Sequence, residues 1–387
     1  MSEGALRPGE HAPPPAGGAG PAADGGAPTA RDVTAAIVAV DANGADLGPA
    51  EVAAGALLAV GEGARVLLFG PAAAMDLPAS LPDGLEVIDA PVSIAKSPDP
   101  AGAARATPQA SIVQAARAVA ADRAQAFVCA GGTGAALAAG LFNIKRARGV
   151  YRPALALALP VPGPVGGRAV ILLDVGANAQ ARREHLVQFA FMGAALAQTV
   201  LGVRRPRVGL LSNGEEAGRG SQLVLEARAE LAERVPADGW FEPIGNVEGG
   251  DLFTGAADVV VTDGLTGNIA LKLMEGVSQT LLAAIRAAAS SSPRAQLGGM
   301  LLRPALRAVR DEIDPESHGG AYLLGLRRLG VVPHGRFTRR GFAQAILRAQ
   351  RGAREDLVGR TQLALEQAGA LKRAPASAPG ASLRDSR

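Results

Sequence analysis

Five short stretches of this 387-residue chain hold the residue types from which a small-molecule site is built. They are Asp41-Ala42-Asn43-Gly44-Ala45-Asp46, Gly131-Gly132-Thr133-Gly134, Asp174-Val175-Gly176-Ala177-Asn178, Ser212-Asn213-Gly214-Glu215-Glu216 and Asp263-Gly264-Leu265-Thr266-Gly267-Asn268. Glycine lets a ligand approach the backbone, and free N–H groups where a helix begins suit an anion. Taken singly, each stretch is ordinary turn chemistry. Their joint occurrence argues for a site that binds an anion and stabilises developing negative charge. Glu215-Glu216 reads either as an acid–base pair or as a first-turn pair complementing a helix dipole. Lys272, one of four lysines, reads either as a charge partner or as a solvated helix residue. His334, in Pro333-His334-Gly335, is a further candidate at a strand end.

Several chemistries are excluded by pattern. Gly131-Gly132-Thr133-Gly134 lacks the spacing of a dinucleotide fingerprint, and neither a P-loop nor a G-x-S-x-G elbow occurs. His11, His185, His318 and His334 are not spaced as metal ligands, so neither metal nor cofactor is expected. The single cysteine, Cys129, sits in an apolar strand and reads as a buried, inert thiol. Aromatic residues are only 3% of the chain, which argues against base stacking and a nucleic-acid partner.

Each loop must be held by a strand before it and a helix after it, and the chain supplies both. Apolar runs at 36–40, 65–69, 85–88, 126–130, 169–173, 207–211 and 259–261 read as buried strands. Helical patterns alternate with them, from Pro49 and Ala135 onward and over 111–121, 184–200, 221–234 and 269–289. The expected fold class is α/β: a doubly wound, mostly parallel sheet with helices on both faces and a protruding helical hairpin. In such a sheet the five loops share one edge. Residues 152–164 read as a proline-rich crossing, and 245–251 as a polar linking segment. Residues 1–34 and 370–387, rich in Ala, Gly and Pro, read as disordered tails around a body at 35–369. The hairpin spans about 269–310, its second helix beginning near Pro304. There Leu302, Leu306 and Val309 alternate with Arg303, Arg307 and Arg310, the pattern of an interfacial helix on anionic lipid. A dimer interface is the competing reading. No apolar run approaches the ~18–20 residues of a spanning helix, and the first residues lack the layout of a secretion signal. The expected location is cytoplasmic, peripheral on the inner face of the cell membrane.

Further blocks carry a resemblance: RPAL (152–155), LLDVGAN (172–178), LVQFAFMG (186–193), PRVGLL with GEE (206–211, 214–216), GN-E (245–248), DGLTGN with LK-MEG (263–268, 271–276), GGAYLLGL (319–326) and HG (334–335). In this order they resemble the PlsX family, the acyl carrier protein-dependent phosphate acyltransferases, from about Ile37 to Gln350. The resemblance implies that inorganic phosphate attacks the thioester of an acyl carrier protein. The acyl phosphate then feeds a membrane glycerol-phosphate acyltransferase in phospholipid synthesis. It implies phosphate near Gly131, Gly132, Thr133, Gly134 and Asn268, with Arg105 or Lys272 as charge partner. Asp174, Asn178 and Glu215 would orient the site, and Asp41, Gly44, Asp46, Ser111, Asp263, Gly264, Thr266, Gly267 and His334 would line it. A homodimer is the implied assembly. Departures from the family pattern fall in these loops: Ala45 and Gly132 replace Gly and Asn, Pro108 and Ala110 replace a basic residue and a Ser, and Ser212 replaces Asn. A phosphotransacetylase-like enzyme acting on acyl-coenzyme A, and a weakened, membrane-associated scaffold, are the competing functions.

Overall fold

A computed structural model of the chain describes residues 36–161, 169–236, 238–312 and 314–372. The first expected tail and the end of the second lie outside these residues. Eleven strands form one sheet: β1 (Ile37–Asp41), β2 (Arg65–Gly70), β3 (Leu85–Asp89), β4 (Ala126–Cys129), β5 (Ala154–Pro160), β6 (Ala169–Leu173), β7 (Arg207–Leu211), β8 (Glu242–Val247), β9 (Val259–Val261), β10 (Ala321–Leu324) and β11 (Leu329–Val332). The helices are α1 (Pro49–Gly61), α2 (Pro100–Ala106), α3 (Ser111–Ala120), α4 (Thr133–Ala139, prolonged by a wider turn over Gly140–Ile144), α5 (Arg183–Leu196), α6 (Gln222–Arg234), α7 (Gly264–Ser290), α8 (Pro293–Glu312), α9 (Arg339–Arg354) and α10 (Leu357–Gln367).

The strands inside the sheet are buried on both faces, as near-continuous runs of Val, Leu and Ala demand, while the edge strands β3 and β8 are partly exposed. In β1, Val38 and Val40 face one core with Val52 of α1 and Phe342 of α9, while Ala39 faces the other with Val113 of α3 and Ala136 of α4. This is the two-sided covering expected from the alternating elements.

The strand order is β3-β2-β1-β4-β11-β10-β5-β6-β9-β7-β8. Here one expectation fails. β3, β2, β1, β4 and β11 are mutually parallel. β10 runs antiparallel to both β11 and β5, and β5 antiparallel to β6. β6, β9, β7 and β8 are parallel to one another, and so run opposite to the first group. The loops after β1 and β4 therefore leave one edge of the sheet, and those after β6, β7 and β9 leave the other. The five loops do not converge. The reversal comes from β5, within the segment expected to be a crossing, whose flanking prolines hid an ALALALP strand. β8 was hidden likewise. It is an edge strand, where Pro243 loses no ladder bond, and it is bulged beside Gly245.

Three further boundaries differ from expectation. Asp263 caps α7, its carboxylate accepting from the N–H groups of Leu265 and Thr266, so 264–268 is the first helical turn and not a loop. α8 starts at Pro293, with Pro304 inside it. Residues 370–372 pack on the body: Gln188 donates to the Ala370 carbonyl, and the Lys372 N–H to that of Gly149.

Candidate active site

The first edge brings together the ends of three neighbouring strands, β1, β4 and β11. Their loops interlock through backbone bonds. Ala130 N–H donates to Asp41 O (3.2 Å), Gly131 N–H to Pro333 O (3.2 Å) and Asp46 N–H to Gly335 O (2.7 Å). Gly44 is obligatory, because an added Cβ would lie 1.7 Å from the Ala130 carbonyl oxygen. Gly131 takes φ +85°, a left-handed conformation that favours glycine. The Asp46 carboxylate lies beside Gly335, 3.1 Å from where a Cβ would stand.

Beneath these loops is a buried polar network. Asp41 is 2% exposed and accepts from the Asn43 N–H. Burial pushes its carboxyl up to about 6, against the opposing effects of hydrogen bonds from Ser111 and Asn43. The Asn43 amide donates to the Ser111 hydroxyl (3.1 Å) and to Ala90 O (3.0 Å), and the Ser93 hydroxyl donates to Asn43 O (2.6 Å). Ser111 is thus fully buried support for the loop. Burial, and then the Asp41 charge, push the Cys129 thiol well up, which keeps it inert.

Above the network lies a cleft of ≈ 560 Å³, lined by Asn43, Gly44, Ser93, Lys96, Ser97 and Ala103 among others. Thr133 and Gly134 are exposed at the start of α4, whose first-turn N–H groups have no acceptor within the helix. Lys96 was missed from sequence. Its signal was its rarity, in a chain that otherwise uses arginine, and its place in a Ser-rich loop. His334 is exposed. Its Nδ1 accepts from the Arg336 N–H (3.2 Å), so the neutral ring carries its proton on Nε2, and it stacks on Phe337. Arg105 is exposed, its guanidinium 4.3 Å above the Phe142 ring.

The opposite edge gathers the remaining candidates. Asp174 is fully buried. Its carboxylate accepts from the N–H groups of Leu155, Gly176, Ala177 and Asn178 and from the Asn178 amide, at 2.8–3.2 Å. Burial still raises its pKa, against those bonds. The Asn178 amide also donates to Pro153 O (2.7 Å). Gly264 and Gly267 pack tightly on this turn: an added Cβ would lie 2.6 Å from Asn178 O and 2.0 Å from Asp174 O, respectively. Thr266 donates to the capping carboxylate of Asp263 (2.7 Å). The Asn268 amide lies against Gly176. Asn268 is the fifth residue of α7 and does not cap it. The expectation put phosphate near both Gly131–Gly134 and Asn268; the two groups occupy opposite edges of the sheet, so the fold does not bring them together within one chain.

Glu215 and Lys272 are exposed. Glu215 and Glu216 stand in a loop ahead of α6, so they form no first-turn pair. That loop is held by Asn246, a second missed residue, whose amide donates to the carbonyls of Gly214 (3.2 Å), Glu216 (2.8 Å) and Arg219 (3.0 Å).

A mixed α/β sheet of this kind, with glycine loops at its strand ends, is the fold of the phosphotransacylases. The phosphotransacetylase of Streptococcus pyogenes superposes with a TM-score of 0.55, covering 83% of this chain and 95% of that one, at 15% sequence identity. Closer in sequence is the phosphate acyltransferase of Desulforudis audaxviator, 42% identical over 323 residues, which are 83% of this chain and 94% of that protein. That of Thermus thermophilus is 43% identical over 330 residues, 84% and 97% of the two chains. A family model described as "Fatty acid synthesis protein" matches residues 36–360, and the chain belongs to this family of phosphate acyltransferases. It is a transferase enzyme.

Proposed function

We propose that this enzyme moves a fatty acyl group from the thioester of acyl carrier protein to inorganic phosphate, in the cleft at the ends of β1, β4 and β11. One observation carries the reading. An open cleft there is lined by Lys96 and by the Gly44 loop, which the neighbouring loops hold rigid, and its wall residue Ala95 packs against Gly132 at the start of α4. Phosphate is itself the nucleophile, so the protein need only hold it near the carbonyl and stabilise the oxyanion. A phosphate oxygen bonds to the carbonyl carbon, the C–S bond breaks, and the carrier leaves as thiolate to take up a proton. Thr133, Gly134 and Lys96 hold the phosphate. We assign His334, whose neutral ring carries its proton on Nε2, as the donor to the leaving thiolate. Gly44, Asp41, Asn43 and Ser111 position the loop, while Asp174, Asn178 and Asn268 brace the opposite edge and the root of α7.

The acyl phosphate product is amphiphilic and suits a membrane acyltransferase that acylates glycerol 3-phosphate. The hairpin fits such a setting. α7 and α8 pack on each other, yet Leu265, Ile269, Leu273, Val277 and Leu281 form an exposed stripe along α7. On α8, Met300, Leu301 and Leu302 are exposed beside Arg303 and Arg307. We assign the stripe to a homodimer contact and the α8 residues to anionic lipid at the inner face of the membrane. Among the described residues no helix is long and apolar enough to cross a membrane.

The test is incubation with a long-chain acyl carrier protein thioester, and separately with acyl-coenzyme A, each with and without phosphate. Acyl phosphate is trapped as hydroxamate and free thiol is measured. Phosphate-dependent product from the carrier thioester is expected. Equal thiol release without phosphate refutes the reading. Product from coenzyme A alone selects the phosphotransacetylase-like activity, and no product from either selects a scaffold.

A further inference from the structure

A second cavity, of ≈ 290 Å³, is lined by Arg146, Tyr151, Arg152, Arg182, His185 and Lys372. It lies by the start of β5, on the edge opposite the cleft described above: Arg152 directly precedes Pro153, whose carbonyl accepts from Asn178 of the Asp174 turn. Nothing in acyl transfer requires it.

The cavity is built from three separate segments. Gln188, 1% exposed, ties them together: it accepts from the Tyr151 N–H (2.8 Å) and donates to the carbonyls of Gly149 (3.0 Å) and Ala370 (2.8 Å). The Lys372 N–H donates to Gly149 O (2.7 Å), which brings the lysine to the rim. Arg146 donates to the Tyr151 carbonyl. The Arg182 N–H donates to Nδ1 of the buried His185, so the neutral imidazole keeps its proton on Nε2.

Charge is the unusual feature. Among the described residues, Arg146, Arg152, Arg182 and Lys372 form no ion pair, whereas neighbouring Arg183 is paired with Glu230 at 2.7 Å. Burial lowers the pKa of His185, and the charges of Arg152 and Arg182 lower it further, with Glu184 opposing. The two guanidinium groups thus act on the same spot. Four cationic groups around one cavity repel one another unless an anion joins them. The forked donors of three arginines match tetrahedral phosphate oxygens.

We propose that this cavity binds a small soluble ligand through a phosphate group, held by Arg146, Arg152, Arg182 and Lys372. The assignment does not depend on the acyl-transfer reading, and its test involves no turnover.

The probe is glycerol 3-phosphate, titrated calorimetrically into the full-length protein. One molecule binds per chain. Arg152→Gln/Arg182→Gln weakens binding by about tenfold or more, the scale of two lost charge-assisted bonds, while thermal unfolding stays unchanged. Lys96→Gln, in the other cleft, leaves this binding unaltered. Should the double variant fail to fold, Lys372→Gln carries the same expectation with a smaller loss, since its side chain has no ion pair to lose among the described residues. Absence of binding, equal affinity in the variants, or equal binding of acetate overturns the proposal. A response to inorganic phosphate that persists in Lys96→Gln and is lost in Arg152→Gln/Arg182→Gln keeps it and widens the ligand to any free phosphate. A response only to phosphatidylglycerol vesicles overturns the soluble ligand in favour of a lipid headgroup.

Discussion

Replacing Gly44 by alanine tests whether the interlocked loops are the reactive edge. The new methyl carbon would stand 1.7 Å from the Ala130 carbonyl oxygen and 3.3 Å from the Ala95 methyl. Restoring a normal contact requires a relative shift of about 1.5 Å between the loops after β1 and β4. Overpacking of this kind costs about 1–3 kcal/mol. The shift also strains the bond from Ala130 to Asp41, worth about 1 kcal/mol. A loss of ~2–4 kcal/mol follows, a large share of the roughly 5–15 kcal/mol typical of a folded domain. Moving the glycine loop by about 1 Å should also cut turnover by about 100-fold. Gly276→Ala is the control. It lies within α7 with open space around it, and removing a mid-helix glycine should gain about 1 kcal/mol. Urea unfolding gives the stability, and acyl-phosphate formation by the folded protein gives the activity. A Gly44→Ala protein as stable as the parent refutes the close approach. One that is destabilised but fully active, while folded, refutes the placement of the reaction in this cleft.

Asp41 makes stability depend on pH. Its folded-state pKa, about 6, is above the ordinary 3.8, so the unfolded chain loses the proton first and stability falls as pH rises between about 4 and 6. The gap corresponds to a loss of ~3 kcal/mol. Asp41→Asn should remove that slope in urea titrations at stepped pH, and an unchanged slope would assign it elsewhere. Asp263→Ala should cost ~1–2 kcal/mol as a lost helix cap, whereas Asn268→Ala should cost less and retain activity. A loss of more than about tenfold in turnover for Asn268→Ala would bring the opposite edge into the reaction. Leu301→Glu with Leu302→Glu should release the protein from anionic liposomes in co-sedimentation while soluble acyl transfer persists. Equal recovery in the pellet would discard the lipid contact.

Short-range physics was legible in the chain. The buried strands of Val, Leu and Ala, the turn chemistry after them and the helix periodicity depend on neighbours a few residues apart, and most appear where their patterns place them. The inert burial of Cys129 followed in the same way from its apolar strand. The ordered blocks from RPAL to HG identified the family, because so many short matches in sequence leave little freedom. What the chain alone did not reveal was direction. Whether a strand runs up or down depends on its partner, and a buried strand is apolar in either sense. The reversal at β5 and β10 rests on pairings between residues far apart in sequence, such as Tyr322 with Ala156, and it parts the Asp41 and Gly131 loops from the Asp174 and Asp263 turns. The same holds for side-chain roles. Asp174 and Ser111 look like reactive groups in a list of residues. Only the folded chain sets five donors around the one and buries the other beneath Asn43, because a hydrogen bond is decided by which groups the packing brings within about 3 Å.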